Sequence, residues 1–151
     1  MSLGFDALQN DIISHAQTLG VFDKVDGHET KNAPGLGVFA EVYVDTIDPI
    51  RSSGLAATSC RLGVKVRITT DMRGDPQDGI DPRIVAAADA FIGSIHTDFE
   101  LDGDARHVDL LGAYGVPLSG RTGYLSRGSE QYRVIDVIVP IIISDAWEQT
   151  V

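Results

Sequence analysis

Two segments of strict two-residue alternation, separated by a short linker, limit what this chain can fold into more than any other feature. In residues 38–47, Val38, Ala40, Val42 and Val44 share one face of an extended strand. In residues 58–70, Cys60, Leu62, Val64, Val66 and Ile68 share one face, while Arg61, Lys65 and Arg67 share the other. Alternation of this kind sets one face on a core and the other on water or on another chain. The linker 48–57, DPIRSSGLAA, makes the pair an antiparallel hairpin. Its tip, Arg51, Ser52, Ser53, Gly54 and Leu55, is longer than a tight hairpin needs, and such tips are often functional rather than merely connective.

Helical spacing appears twice. Phe5, Leu8, Ile12, Ala16 and Leu19 recur at three- and four-residue intervals and predict an amphipathic helix over 5–19, closed by Gly20. Asp81 at the N-cap and Pro82 at the first helical position mark a second start. Ile84, Val85, Ala88, Phe91, Ile92 and Ile95 then form one apolar face, which ends near Thr97 before an acidic turn at 98–104. Short strands are expected at 21–25, at 108–111 and near Tyr124, with loops at 28–37 and, rich in glycine, at 112–123. The order predicts one α+β domain over residues 1–151: two helices packed on one face of a mostly antiparallel β-sheet with a long β-hairpin.

The last predicted strand, 131–143, is apolar on both faces. Pro140 inside it cannot donate to a central ladder and points to an edge or a bulge. A second subunit covering the outer half would resolve both oddities. Val139, Ile141 and Ile143, with the single tryptophan Trp147 just beyond, are the candidate contacts. On that expectation Ile141→Asp weakens assembly more than folding.

Charge and cysteine content exclude several classes. Acidic residues outnumber basic ones 22 to 12, for a net charge of −10. Binding driven by phosphate contacts, to nucleic acid or to an anionic membrane, is disfavoured. The lone Cys60 permits neither an internal disulfide framework nor a multi-cysteine metal site. The start carries no secretory signal, and the apolar run at 134–143 falls short of the roughly 20 residues a membrane helix needs. The expectation is a soluble protein of a reducing compartment.

No motif carries chemistry. Gly35-Leu36-Gly37 precedes a strand rather than a helix and is not a phosphate loop. His28-Glu29 lacks the second histidine of a zinc-protease motif. His96 and His107 lie near Asp98, Asp102, Asp104 and Asp109, but the turn lacks the spacing of a calcium loop and reads as solvated. Cys60 sits mid-strand on the apolar face, where it packs as a small hydrophobe. Asp136, inside the apolar strand, is expected to pair with an arginine or to accept backbone amides. The stripe Arg61, Lys65, Arg67 is either a solvated sheet face or a patch for an acidic neighbour. No enzyme activity, cofactor or metal is expected.

Four segments, GVFAEVYVDTIDPIRSSGLAATSCRLGVKVRI, DPQDGIDPRIVAAADAFIGSI, RHVDLLGAYGVPLSGRTGYL and YRVIDVIVPIIISDAWEQ, carry a resemblance that spans the chain from about Phe5 to Gln149. The sequence resembles the tail terminator family of long, non-contractile phage tails, in its actinobacteriophage form. The resemblance implies a homo-oligomeric ring, a hexamer, on the head-proximal end of the tail tube. That ring ends addition of tube protein and then receives the head-completion or neck protein. DNA passes through its bore without specific binding, and no membrane is involved. The protein would be made in the host cytoplasm and reside in the virion. Under the resemblance, residues 51–55 and the loop containing Tyr114 become candidates for tube contact. Arg61, Lys65, Arg67, Val139, Ile141, Ile143 and Trp147 remain candidates for subunit or tube contact.

Overall fold

A computed structural model of the chain describes residues 3–51, 56–73, 76–105 and 107–148. Its helices are α1 (Phe5–Thr18) and α2 (Ile80–His96). Its strands are β1 (Lys24–Asp26), β2 (Val38–Ile50), β3 (Ala57–Asp71), β4 (His107–Val108), β5 (Ser119–Arg127) and β6 (Glu130–Glu148). All six strands join one sheet in the order β1-β2-β3-β6. The far side of β6 is shared, with β5 along its first half and β4 beside Ile141 and Ile142. Only the short β1–β2 pairing is parallel. The architecture is α+β.

The alternating faces meet the helices as the pattern requires. Ala40 and Val42 of β2, Leu62, Val64, Val66 and Ile68 of β3, and Val137, Val139 and Ile141 of β6 are buried together. Leu8, Ile12 and Ala16 of α1 and Ile84, Phe91 and Ile95 of α2 cover them. Cys60 is fully buried in the same core.

Several boundaries differ from expectation for identifiable reasons. Helix α2 starts one residue before Asp81, with Gly79 as its N-cap and a 3-10 turn, Gln77–Gly79, ahead of it. Asp81 instead sits in the first turn, where the helix dipole favours a carboxylate, and accepts a 2.9 Å bond from Arg133 Nε. Residues 119–123, expected as loop, are strand: Ser119 to Gly123 pair with Ile138 to Val134. The glycines there are poor strand formers, and pairing to the well-fixed β6 overrides that preference.

The doubly apolar strand is also explained within one chain. Val139 and Ile141 are fully buried and Ile143 nearly so, on the face that packs against the helices. They are core, and their apolar character requires no second subunit. Nor is β6 an edge: it lies between β3 and the β5/β4 pair. Pro140 falls opposite Gly63, at the place where the outer neighbour changes from β5 to β4. Its carbonyl accepts from Asp109 N–H at 2.8 Å on the β4 side. The amide hydrogen it lacks would point to the same side, into the junction between the two short strands, so no ladder bond is lost.

Candidate functional site

The second face of the sheet carries a row of charged side chains. Register places Glu41 opposite Arg67, Arg67 opposite Asp136, and Asp136 opposite Arg121, so one row across four strands alternates in sign. Asp136 accepts from Arg67 Nε at 2.8 Å and from Nη2 at 3.3 Å, as an acid in an apolar strand should. Arg67 also lies 3.9 Å from Glu29 and over the Tyr43 ring at 5.9 Å. Lys65, one row away, lies 3.6 Å from Asp45.

This face is concave. The Glu41 side chain is only 3% exposed, and Arg127 from the tip of β5 donates to it at 3.0 Å. Two strands separate β2 from β5, so the sheet must curl for that pair to form. Thr30, from the loop before β2, bonds both Glu41 and Arg127 and closes this end.

The other end is closed by the segment after β4. Arg61, fifth residue along β3, is buried and donates through Nε to Asp109 at 3.4 Å and through Nη2 to the carbonyl of Val116. Asp109 also accepts from the amides of Ala113 and Tyr114 at 2.7 and 3.0 Å. Burial pushes the Asp109 carboxyl up, but those two amides and Arg61 outweigh it and hold the group below the usual carboxylate range. Gly115 passes so close that a Cβ there would stand 3.0 Å from the Arg61 guanidinium carbon. Wrapped this way, the loop turns Leu111 (91% exposed), Tyr114 and Val116 outward.

The stripe Arg61, Lys65, Arg67 is therefore neither a solvated face nor free for an outside acid, because each member meets a carboxylate of its own chain. Of the hairpin tip, Arg51 is exposed at the end of β2, and Ser52, Ser53, Gly54 and Leu55 lie outside the described residues. Trp147 is 38% exposed and paired with Thr58, close to the hairpin tip. Tyr114 and Trp147 are thus accessible, and Val139, Ile141 and Ile143 are not. Glu41 and Arg127 escaped the sequence-based reading, and Asp109, named there only beside a solvated acidic turn, is instead buried against Arg61. Glu41 falls on the polar face of an alternating strand, and only the curl of the sheet buries it.

The acidic turn forms its own corner against α1. His15 Nε2 stands 2.8 Å from Asp98 Oδ2. Asp11, one turn earlier, faces Asp104, Asp102 and Asp98. Burial, then the neighbouring Asp104, then the charges of Asp102 and Asp98 push its carboxyl up to about 7. The folded chain thus holds a proton that the unfolded chain, with an ordinary value of 3.8, releases. Stability contributed here is full below about 4 and is lost as pH rises through about 7. Asp11→Asn should raise the melting temperature by a few degrees at pH 8 and leave it nearly unchanged at pH 4. Equal gains at both values in a pair of thermal melts would refute the assignment.

Among the described residues, no group of three or more His, Cys, Asp or Glu side chains is placed to hold a metal ion. No helix among them is long and apolar enough to cross a membrane. No family model matches the chain. No curated protein matches it. Among solved structures, the fold is similar to a chain in the virion of a native gene transfer agent particle. That chain is 15% identical, the match covers 89% of this chain and 92% of that one, and the TM-score is 0.38.

Proposed function

We propose that this chain is a virion structural protein, the tail terminator of a long, non-contractile phage tail. It forms a homo-oligomeric ring, a hexamer, on the head-proximal end of the tail tube. The ring stops tube polymerisation and offers its other side to the neck protein that joins the head. The observation that carries this is the sequence resemblance, which runs from about Phe5 to Gln149 rather than over one motif. The role is structural, without cofactor or catalytic step.

Two features of the fold support the reading. Along the edge of the sheet β2 is exposed from Val44 to Pro49, while β3 opposite it is buried from Ser59 to Leu62 and stays paired with β6 as far as Ala57. An open edge of that kind suits contact with a neighbouring ring, and residues 51–55 between β2 and β3 are the proposed tube contact. The outward display of Leu111, Tyr114 and Val116 supplies a second apolar contact. The excess of 22 acidic over 12 basic residues suits a conduit past which DNA slides without adhering.

Deleting the gene from the phage that carries it should give overlong tails in negative-stain micrographs. Tails of normal length detached from full heads would instead assign the chain to head-tail joining. Deleting residues 51–55 should leave a folded protein with the same far-ultraviolet circular dichroism that no longer limits tail length. Tails of ordinary length from that deletion would remove the tip from the contact.

A further inference from the structure

We propose that the two lateral edges of the sheet are the complementary halves of one head-to-tail contact between copies of this chain, with Asp48 on β2 of one copy facing Arg121 on β5 of the next. This rests on the ring proposed above only for closure of the assembly; the contact itself is argued from the edges.

The first edge is the outer half of β2. Strand β1 pairs only with Phe39 to Glu41. From Val44 to Ile50 no strand among the described residues lies on that side. Asp48 is exposed there and joins no ion pair among the described residues. Ile47 beside it is 52% exposed. The second edge is β5, which pairs with β6 alone. Arg121 is exposed on it, and its cross-strand neighbour Asp136 is already held by Arg67. Arg121 closes the sign-alternating row with a cation that meets no carboxylate among the described residues. Tyr124, three residues on, is 60% exposed.

The faces agree as well as the charges. Register puts Asp48 opposite Arg61 and Arg121 opposite Asp136, so both belong to the concave face. Ile47 lies opposite Leu62 and Tyr124 opposite Arg133, both on the helix-bearing face. Arg121 lies in the row of Glu41, seven residues along β2 from Asp48, so copies set side by side in one orientation and slid by that length bring acid towards base on one face and apolar towards apolar on the other. Pairing two like edges would instead oppose Asp48 to Asp48 or Arg121 to Arg121, which disfavours a two-fold dimer. A heterologous contact of this kind propagates to a closed ring or an open filament. Side chains rather than a long ladder make it, because Pro49 and the bulge between Val44 and Thr46 interrupt the β2 edge.

Single cysteines at the two positions test the contact in the full-length protein, since the native Cys60 is fully buried. With a short bis-maleimide, Asp48→Cys mixed with Arg121→Cys should give dimers, neither variant alone should do so, and the double variant should give a ladder. No dimer in the mixture, or self-linking of either single variant, overturns the proposal. Independently, Asp48→Arg and Arg121→Asp should each weaken self-association about tenfold in sedimentation, and together restore it. Failure of that rescue also overturns it. The two proposals separate cleanly. Normal tail lengths from a phage with Arg121→Asp, with no dimer in the mixture, would remove the contact and leave the terminator role. A cysteine ladder together with unchanged tails after gene deletion would keep the contact and remove the role.

Discussion

Ile141→Asp is expected to unfold this domain rather than to detach one subunit from another. Ile141 is fully buried on the helix-facing side of β6, opposite Leu62 of β3 and Val108 of β4. A carboxylate there loses water on every side and finds no cation in the surrounding core, which is aliphatic apart from Phe91 and Cys60. Inserting an unpaired buried charge costs more than about 4 kcal/mol, a large share of a typical domain's stability of roughly 5–15 kcal/mol. The purified variant should lose its near-ultraviolet circular dichroism and its cooperative thermal transition at 25 °C. Ile141→Val, which removes one methylene, should cost only about 1 kcal/mol and keep both. A cooperatively folded Ile141→Asp chain that merely fails to self-associate would restore β6 as a subunit surface.

Arg127→Ala carries the second large effect. It strands the Glu41 carboxylate, 3% exposed, with Thr30 as its remaining partner. Removing one member of a buried ion pair costs about 3–5 kcal/mol, because the other charge stays desolvated. Replacing both, as in Glu41→Leu with Arg127→Met, should recover most of that loss. Urea denaturation of the wild type, Glu41→Leu, Arg127→Met and the double variant gives the coupling directly. Near-additive losses in that cycle would mean that the pair does not close the concave face.

Helix α2 and the β2–β3 hairpin were legible because their signals are local. Alternation over 38–47 and 58–70 needs only the pleat, and Ile84, Phe91 and Ile95 need only the helical repeat. What was not legible depends on curvature and on contacts far apart in sequence. The same alternation that places Glu41 outside is correct for a flat sheet, and the curl reverses its exposure through Arg127, 86 residues away. The two-faced apolar character of β6 was visible, but its cause was not. Ile142 is buried on the second face, where its neighbour Arg61 is pinned by Asp109 and Val116. A turn folding back over a sheet leaves no periodic trace in sequence. Asp136 was the exception among long-range contacts, since an acid within an apolar strand announces its need for a cation.

Pro140 has a consequence for the chain before it is folded. The run VIDVIVPIII is rich in β-branched residues and low in charge, which is the composition of a segment that stacks with copies of itself. Asp136 and Pro140 cut it into pieces of three or fewer apolar residues, shorter than the six or so that a steric zipper uses. In the native sheet the proline costs little, because it stands where β5 gives way to β4. On the nascent polypeptide the same residue acts as a gatekeeper against amyloid-like stacking during synthesis.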